Sequence, residues 1–221
     1  MIGPQDLIDL ARSRPARRYP GWRWLPRAAV AAVVRAAPGG GAELLLIQRS
    51  EYEGDPWSGH MAMPGGRLEP RERFAWQGAE RETREELGLD LCRAKRIGPL
   101  AQVLTKAPRR RLPMTVTPVL YHYDADELPQ FELNHEVAAA VWVPFEYMAD
   151  AANRESMRWD AGPVEVELPC YRYEGYLIWG LTLGIIDAML APVVQWRPTA
   201  LKAIVGRARG RNKSTGPLRR R

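Results

Sequence analysis

Apolar residues in this chain gather into short blocks punctuated by glycine and proline, and the spacing inside each block predicts an element. Ala28 to Val34 and Leu44 to Gln48 are near-continuous runs of Ala, Val, Leu and Ile, as expected of strands buried on both faces. The AAPGGGA between them reads as the loose turn of a hairpin. Ile97 to Thr105 and Met114 to Tyr123 predict two more strands, joined by KAPRRRLP. NHEVAAAVWVP predicts another, entered through Asn134, His135 and Glu136, and Pro144 to Ala152 follows as a short helix. Val164 to Leu168 alternates valine with glutamate, the period of a half-exposed strand, and Tyr171 and Tyr173 open a further extended piece.

Three segments carry a helical signal. Pro4 ahead of Leu7, Ile8 and Leu10 predicts a short amphipathic helix ending near Arg12, and the Arg-, Pro- and Trp-rich stretch Arg14 to Pro26 reads as a connector draped over the domain. After the Glu174-Gly175 turn, YLIWGLTLGIIDAMLAPVV predicts a buried C-terminal helix packed on the sheet. It carries Asp187 and breaks at Pro192, and its uncharged run falls short of the about 20 residues a membrane span needs. The third segment organises the rest. From Phe74 to Leu87 there is no proline and the only glycine is Gly78, with Gly88 as the C-terminal breaker.

On that helix Glu82, Glu85 and Glu86 stand at i, i+3 and i+4 and share a face, with Ala75, Ala79, Thr83 and Leu87 forming the apolar stripe beside them. Like charges at that spacing repel, and a divalent cation is the natural compensation. Mg2+ or Mn2+ is expected, since hard cations take carboxylate, water and phosphate oxygens. Arg81 is placed to pair with Glu85 and to reach back toward Glu72.

At these residues the chain resembles the Nudix hydrolases. Gly66, Glu72, Arg81-Glu82-Thr83, Glu85-Glu86, Gly88 and Leu89 fill that family's box, with eight rather than seven residues between Glu72 and Arg81, read as one inserted residue. The lead-in LLLIQRSEYEGDPWSGHMAMPGG and the later IWGLT are similar to the coenzyme A pyrophosphatase branch. The resemblance implies a Nudix-type α/β/α sandwich with a mixed β-sheet between the box helix and the C-terminal helix. It further implies one to three metal ions held by Glu82, Glu85, Glu86 and the Gly65 carbonyl, with Arg81 and Glu72 orienting the carboxylates. Glu82 or Glu136 takes the proton from water, and the choice stays open. The implied reaction cleaves a diphosphate linkage in a nucleoside diphosphate derivative, coenzyme A or a related compound, into two phosphate monoesters. Two alternatives remain: a Nudix hydrolase for ADP-ribose, dinucleoside polyphosphates or nucleoside triphosphates, and a nucleotide-binding module without catalysis.

Basic residues elsewhere extend the picture toward substrate. Arg49 ends the second strand and is a candidate phosphate contact, as are Arg109, Arg110 and Arg111 in the joining loop, for which a solvated turn is the plain alternative. Trp57 and His60 are candidates to touch a base, with packing the plainer role for Trp57.

The formal charge of +6 belongs to the tail: no acidic residue follows Asp187, and eight Lys and Arg lie from Lys202 onward. A basic tail makes nucleic-acid contact conceivable, but no aromatic interleaving accompanies it. The organisation expected is residues 1–27 as N-terminal helix and connector, 28–205 as the Nudix domain, and 206–221 as a disordered tail. Two cysteines, Cys92 and Cys170, and no secretory signal point to a reducing, cytoplasmic setting. A small-molecule partner is expected and no membrane; the oligomeric state is open, a homodimer included.

Overall fold

The computed structural model describes residues 1–14, 16–51, 58–105, 113–124, 129–160 and 165–192. Arg109, Arg110, Arg111, Trp57 and the basic tail lie outside them. In chain order the elements are α1 (Pro4–Ser13), β1 (Arg27–Ala36), β2 (Ala42–Arg49), β3 (Met61–Ala62), β4 (Gly65–Arg67), α2 (Ala75–Leu87), β5 (Lys95–Pro99), β6 (Val103–Thr105) and β7 (Met114–His122). Then follow β8 (Val137–Pro144), α3 (Phe145–Ala149), β9 (Glu155–Asp160), β10 (Glu165–Tyr173), β11 (Tyr176–Trp179) and α4 (Gly180–Leu190).

β1 and β7 run parallel at the centre of a mixed sheet, and all other pairings in it are antiparallel. Both central strands are apolar on both faces because each face is covered. Ala29, Ala31 and Val33 of β1, with Val119 and Tyr121 of β7, pack toward Ala79 and Leu87 of α2. Ala32, Val34 and Leu120 face the other way, toward Leu7 of α1, Phe145 and Met148 of α3, and Leu183, Ile186 and Leu190 of α4. The α/β/α sandwich with a mixed sheet is thus the observed architecture.

β1 and β2 pair only near their hairpin turn, Val34 to Ala36 against Leu44 to Ala42. Beyond that they diverge, and the gap is filled by β4 against Ala28 to Val30 and by β3 against Ile47 and Gln48. Gly65 sits in this split with φ 147°, and a Cβ there would collide with the Ala29 carbonyl and Val30. Only glycine allows that approach.

The box helix follows its pattern closely. Gln77 Oε1 accepts the Arg73 and Phe74 N–H groups, each at 2.9 Å, closing the start of α2. At the other end Gly88 adopts φ 65° and its N–H bonds the Arg84 carbonyl at 2.9 Å. Thr83, buried on the apolar stripe, satisfies its hydroxyl on the Ala79 carbonyl at 2.7 Å.

Three expectations need correction. Ile97 to Thr105 is two strands, β5 and β6, because the register shifts between Arg96 and Gly98 and Gln102 turns to bond the N-terminal connector instead of β7 backbone. Tyr176 to Trp179 is a strand and the helix begins only at Gly180. Glu174 and Gly175, with φ 49° and 87°, make a tight hairpin turn that pairs Tyr176–Trp179 with Cys170–Tyr173. Glu165 to Tyr173 is one strand, and Glu155–Asp160, which shows no clean period, joins it in a separate three-stranded sheet. Among the described residues no helix is long and apolar enough to cross a membrane.

Asp187 in the apolar α4 has a specific partner. Arg154, just before β9, grips it with two hydrogen bonds of 2.8 and 2.7 Å, and the Arg154 guanidinium lies 4.8 Å from the Tyr171 ring centroid. This pair ties the small sheet to α4.

Candidate active site: an acidic helix face braced by one arginine

Three candidate carboxylates meet at Arg81. Its Nε donates to Glu72 Oε1 at 2.9 Å, one Nη group reaches Glu85 at 2.9 Å and Glu82 at 3.0 Å, and the other bonds the Arg67 carbonyl at 2.9 Å. The inserted residue before the helix is absorbed without breaking this contact, and Arg73, which the strict seven-residue spacing would place at the glutamate position, is exposed.

Burial opposes ionisation of Glu72, but the Arg81 hydrogen bond, the Glu69 N–H and the Arg81 and Arg71 charges overcome it and hold its carboxyl below the usual range. Glu69, which also approaches Arg81 at 3.9 Å, is a participant the sequence reading did not single out; its position three residues before Glu72 is the available signal.

Glu86 points the other way, into the split between β1 and β2. Only 1% of it is exposed, and its Oε2 accepts the Gly65 N–H at 2.9 Å. Burial pushes its carboxyl up to about 8, with Glu82 and Glu136 adding and the Gly65 N–H and Arg49 opposing. Glu82 is raised as well, by burial first, against the pull of Arg81 and with repulsion from Glu85 and Glu136.

Arg49 and Glu136 therefore share one electrostatic neighbourhood with Glu82 and Glu86. Strand alternation explains Arg49: Leu45 and Ile47 of β2 face α2, and Arg49 is next in that series. Glu136 stands just before β8, whose pairing with β2 is bulged at that end. Gln48 pairs with Ala139 but Arg49 pairs with Val137, so the extra residue Ala138 reverses the alternation of β8 and brings Val137 onto the α2 face. Backbone bonds fix the approach. Asn134 N–H donates to the Glu86 carbonyl at 3.0 Å and Ser50 N–H to the Glu136 carbonyl at 2.8 Å.

Gly65 meets Glu86 through its N–H, and the neighbouring Gly66 leaves room for Glu82: a Cβ on Gly66 would strike the Glu82 carboxylate. His60 lies beside the same loop, packed edge-on against Trp179 with ring centroids 4.7 Å apart, while Trp179 and Trp159 are 4.5 Å apart. Neither tryptophan was anticipated, because both belong to the small sheet.

Among the described residues no three His, Cys, Asp or Glu side chains converge tightly enough to hold a metal ion as they stand. Arg81 engages Glu82 and Glu85, and Gly65 engages Glu86. The donor chemistry nonetheless fits a hard divalent cation. All the donors are oxygens, three carboxylates and the Gly65 carbonyl, and Glu86 and Glu82 carry more mutual repulsion and burial than the nearby arginines offset, which a cation would relieve.

A mixed-sheet α/β/α sandwich with an acidic helix at the split between β1 and β2 defines the class. The chain belongs to the NUDIX domain family, whose model matches residues 25–161. The mitochondrial Nudix hydrolase 15 of Arabidopsis thaliana is 30% identical over 203 residues, covering 90% of this chain and 67% of that protein. The mitochondrial coenzyme A diphosphatase NUDT8 of Mus musculus is 27% identical over 177 residues, 79% of this chain and 82% of its own. An uncharacterised Schizosaccharomyces pombe protein is 36% identical over 104 residues, 46% of this chain, and the match spans only 31% of that longer relative.

Proposed function

We propose that this protein hydrolyses a diphosphate linkage in a nucleoside diphosphate derivative, with coenzyme A or a related compound as the substrate class. The observation that carries this reading is the brace of Arg81 on Glu72, Glu82 and Glu85 beside the buried Glu86. Coenzyme A is favoured by the likeness to the mouse coenzyme A diphosphatase over most of both chains.

Glu82, Glu85, Glu86 and the Gly65 carbonyl would hold Mg2+ or Mn2+. Such an ion, when bound, supplies positive charge to the diphosphate oxygens and acidifies water. The residues of the chain do the remainder. Arg81, fixed by Glu72 and the Arg67 carbonyl, sets the rotamers of Glu82 and Glu85 and so presents their oxygens in one direction. Arg49 offsets charge at Glu86 and is poised to meet a phosphate oxygen. Glu136, anchored by the Ser50 N–H on its carbonyl, and Glu82 are the two candidates to accept a proton from the attacking water.

The test is a panel of coenzyme A, ADP-ribose, a dinucleoside polyphosphate and a nucleoside triphosphate, each with Mg2+ or Mn2+, read by product masses. Coenzyme A should give two phosphate monoesters and the fastest turnover. Faster cleavage of another member would reassign the substrate, and no cleavage of any would leave a binding module.

A further inference from the structure

At the N-terminal end of the box helix, the N-terminal connector, the start of α2 and the edge strand β5 enclose a cavity of about 630 Å³. None of Glu82, Glu85, Glu86 and Glu136 lines it. Five arginines do, Arg18, Arg23, Arg27, Arg73 and Arg96, and no aspartate or glutamate. Arg96 is matched by Glu80 at 3.0 Å. Arg27 spends its donors on uncharged groups, the Glu72 carbonyl at 3.0 Å and the Arg73 carbonyl at 3.2 Å. Among the described residues Arg18, Arg23 and Arg73 form no ion pair with a carboxylate. Several uncompensated guanidinium groups around one concavity repel, and an anion there would relieve them.

The same walls carry flat apolar surfaces. Arg18, Arg23 and Arg27 stand 5.0, 5.6 and 5.9 Å from the Trp22 ring centroid. Phe74 lies parallel to Trp76, with rings 6.2 Å apart and 10° between planes, and is 60% exposed although it is a large apolar side chain. Guanidinium forks suit phosphate oxygens, and exposed aromatic faces suit a planar ring. The volume lies within the range of about 300–1,000 Å³ typical of small-molecule pockets, which favours a free ligand over a polymer groove.

The connector wall is anchored. Gln102 N–H donates to the Arg17 carbonyl at 2.9 Å, Gln102 Oε1 accepts the Tyr19 N–H at 3.1 Å, and Thr115 N–H bonds the Pro26 carbonyl at 3.0 Å. A preformed cavity avoids much of the ordering cost of binding.

We infer that this arginine- and aromatic-lined cavity is a second ligand site, which binds a free mononucleotide by its phosphate and its base, separately from the box carboxylates. The inference does not depend on the proposed hydrolysis, since binding here needs no metal.

The experiment titrates AMP into the full chain with chelator present and follows binding calorimetrically and by tryptophan fluorescence. Saturable binding is expected, with inorganic phosphate and adenosine each competing at least about tenfold more weakly than AMP, because each offers half of the contacts. Arg23→Glu and Arg73→Glu, both at exposed positions, should each weaken AMP by at least about tenfold with unchanged thermal unfolding. Glu86→Gln should leave AMP affinity within about twofold, which separates this site from the box. Absence of saturable binding, indifference to both arginine variants, or loss of binding in Glu86→Gln would each overturn the inference. A single-stranded oligonucleotide displacing AMP at lower concentration would overturn the assignment to a free nucleotide.

Discussion

Arg81 Nε and Glu72 Oε1 lie 2.9 Å apart across nine residues of chain, and the pair is mostly shielded from solvent. Through it the loop before α2 holds the arginine that in turn holds Glu82 and Glu85. One guanidinium fork holds Glu72, Glu82, Glu85 and the Arg67 carbonyl, which an ammonium cannot reproduce. Arg81→Lys is therefore expected to weaken Mn2+ binding by about 10–100-fold, the usual effect of losing a group that orients metal ligands. Titration calorimetry with Mn2+ checks it, and affinity equal to that of the unaltered chain would show the brace to be dispensable.

A second prediction concerns pH. Burial lifts the Glu86 carboxyl from 4.5 to about 8, and Glu82 is shifted the same way. Between those values the folded chain binds a proton that the unfolded chain has released. The stabilising contribution is complete below about 4.5 and lost as pH rises through about 8. Without metal the melting temperature should fall from about pH 6 to about pH 8.5, with a smaller slope in Glu86→Gln. Mg2+ competes with the proton, so it should raise the melting temperature more at the higher pH. A Mg2+ effect equal at both values would contradict this.

Two adjacent glycines should respond differently to alanine. Gly65 combines φ 147° with backbone neighbours that cannot give way, so Gly65→Ala should cost at least about 2 kcal/mol of stability. At Gly66 the obstacle is the flexible Glu82 carboxylate, so Gly66→Ala should cost under about 1 kcal/mol yet displace a candidate ligand. Denaturant unfolding and metal titration on both variants separate the two effects. Equal stability losses would show that Gly66 is also held by backbone.

The Arg154–Asp187 pair offers a test remote from the site. With only 13% and 10% of the two side chains exposed, removing one partner leaves the other charge buried. Burial raises the Asp187 carboxyl despite Arg154, whereas at Arg154 burial is outweighed by Asp187, which raises the guanidinium, so desolvation dominates on the aspartate and attraction on the arginine. Asp187→Ala should cost about 3–5 kcal/mol, and the double change Arg154→Met with Asp187→Leu should recover most of it. A double variant no more stable than Asp187→Ala would show that the pair itself is the stabilising element.

The parts of the fold visible in the sequence are those with a strong local signal. The apolar runs of β1, β2, β7 and β8, the Gly88 stop and the box spacing all act within a few residues, and each appears where it was expected. YLIW reads as helix because its neighbours are apolar; only the partner strand Cys170–Tyr173, reached through the Glu174-Gly175 turn, makes it a strand. The break between β5 and β6 depends on Gln102 bonding the connector, a contact 83 residues distant from Tyr19. At the candidate site, helical spacing set Glu82 and Glu85 beside Arg81, but Glu86, expected on the same face, turns into the sheet instead. The burial of Glu86 and the backbone bonds that bring Glu136 beside it depend on the sheet and leave no local mark.

The most direct measurement is hydrolysis of a diphosphate compound by the unaltered chain, by Glu85→Gln and by Glu86→Gln, with Mg2+ and then with excess chelator. The expected result is turnover that chelator abolishes and that each substitution lowers by at least about 100-fold, while the variants keep their fold. Cleavage that persists at the same rate with chelator, or with both carboxylates neutralised, would contradict the role given to the acidic face of α2.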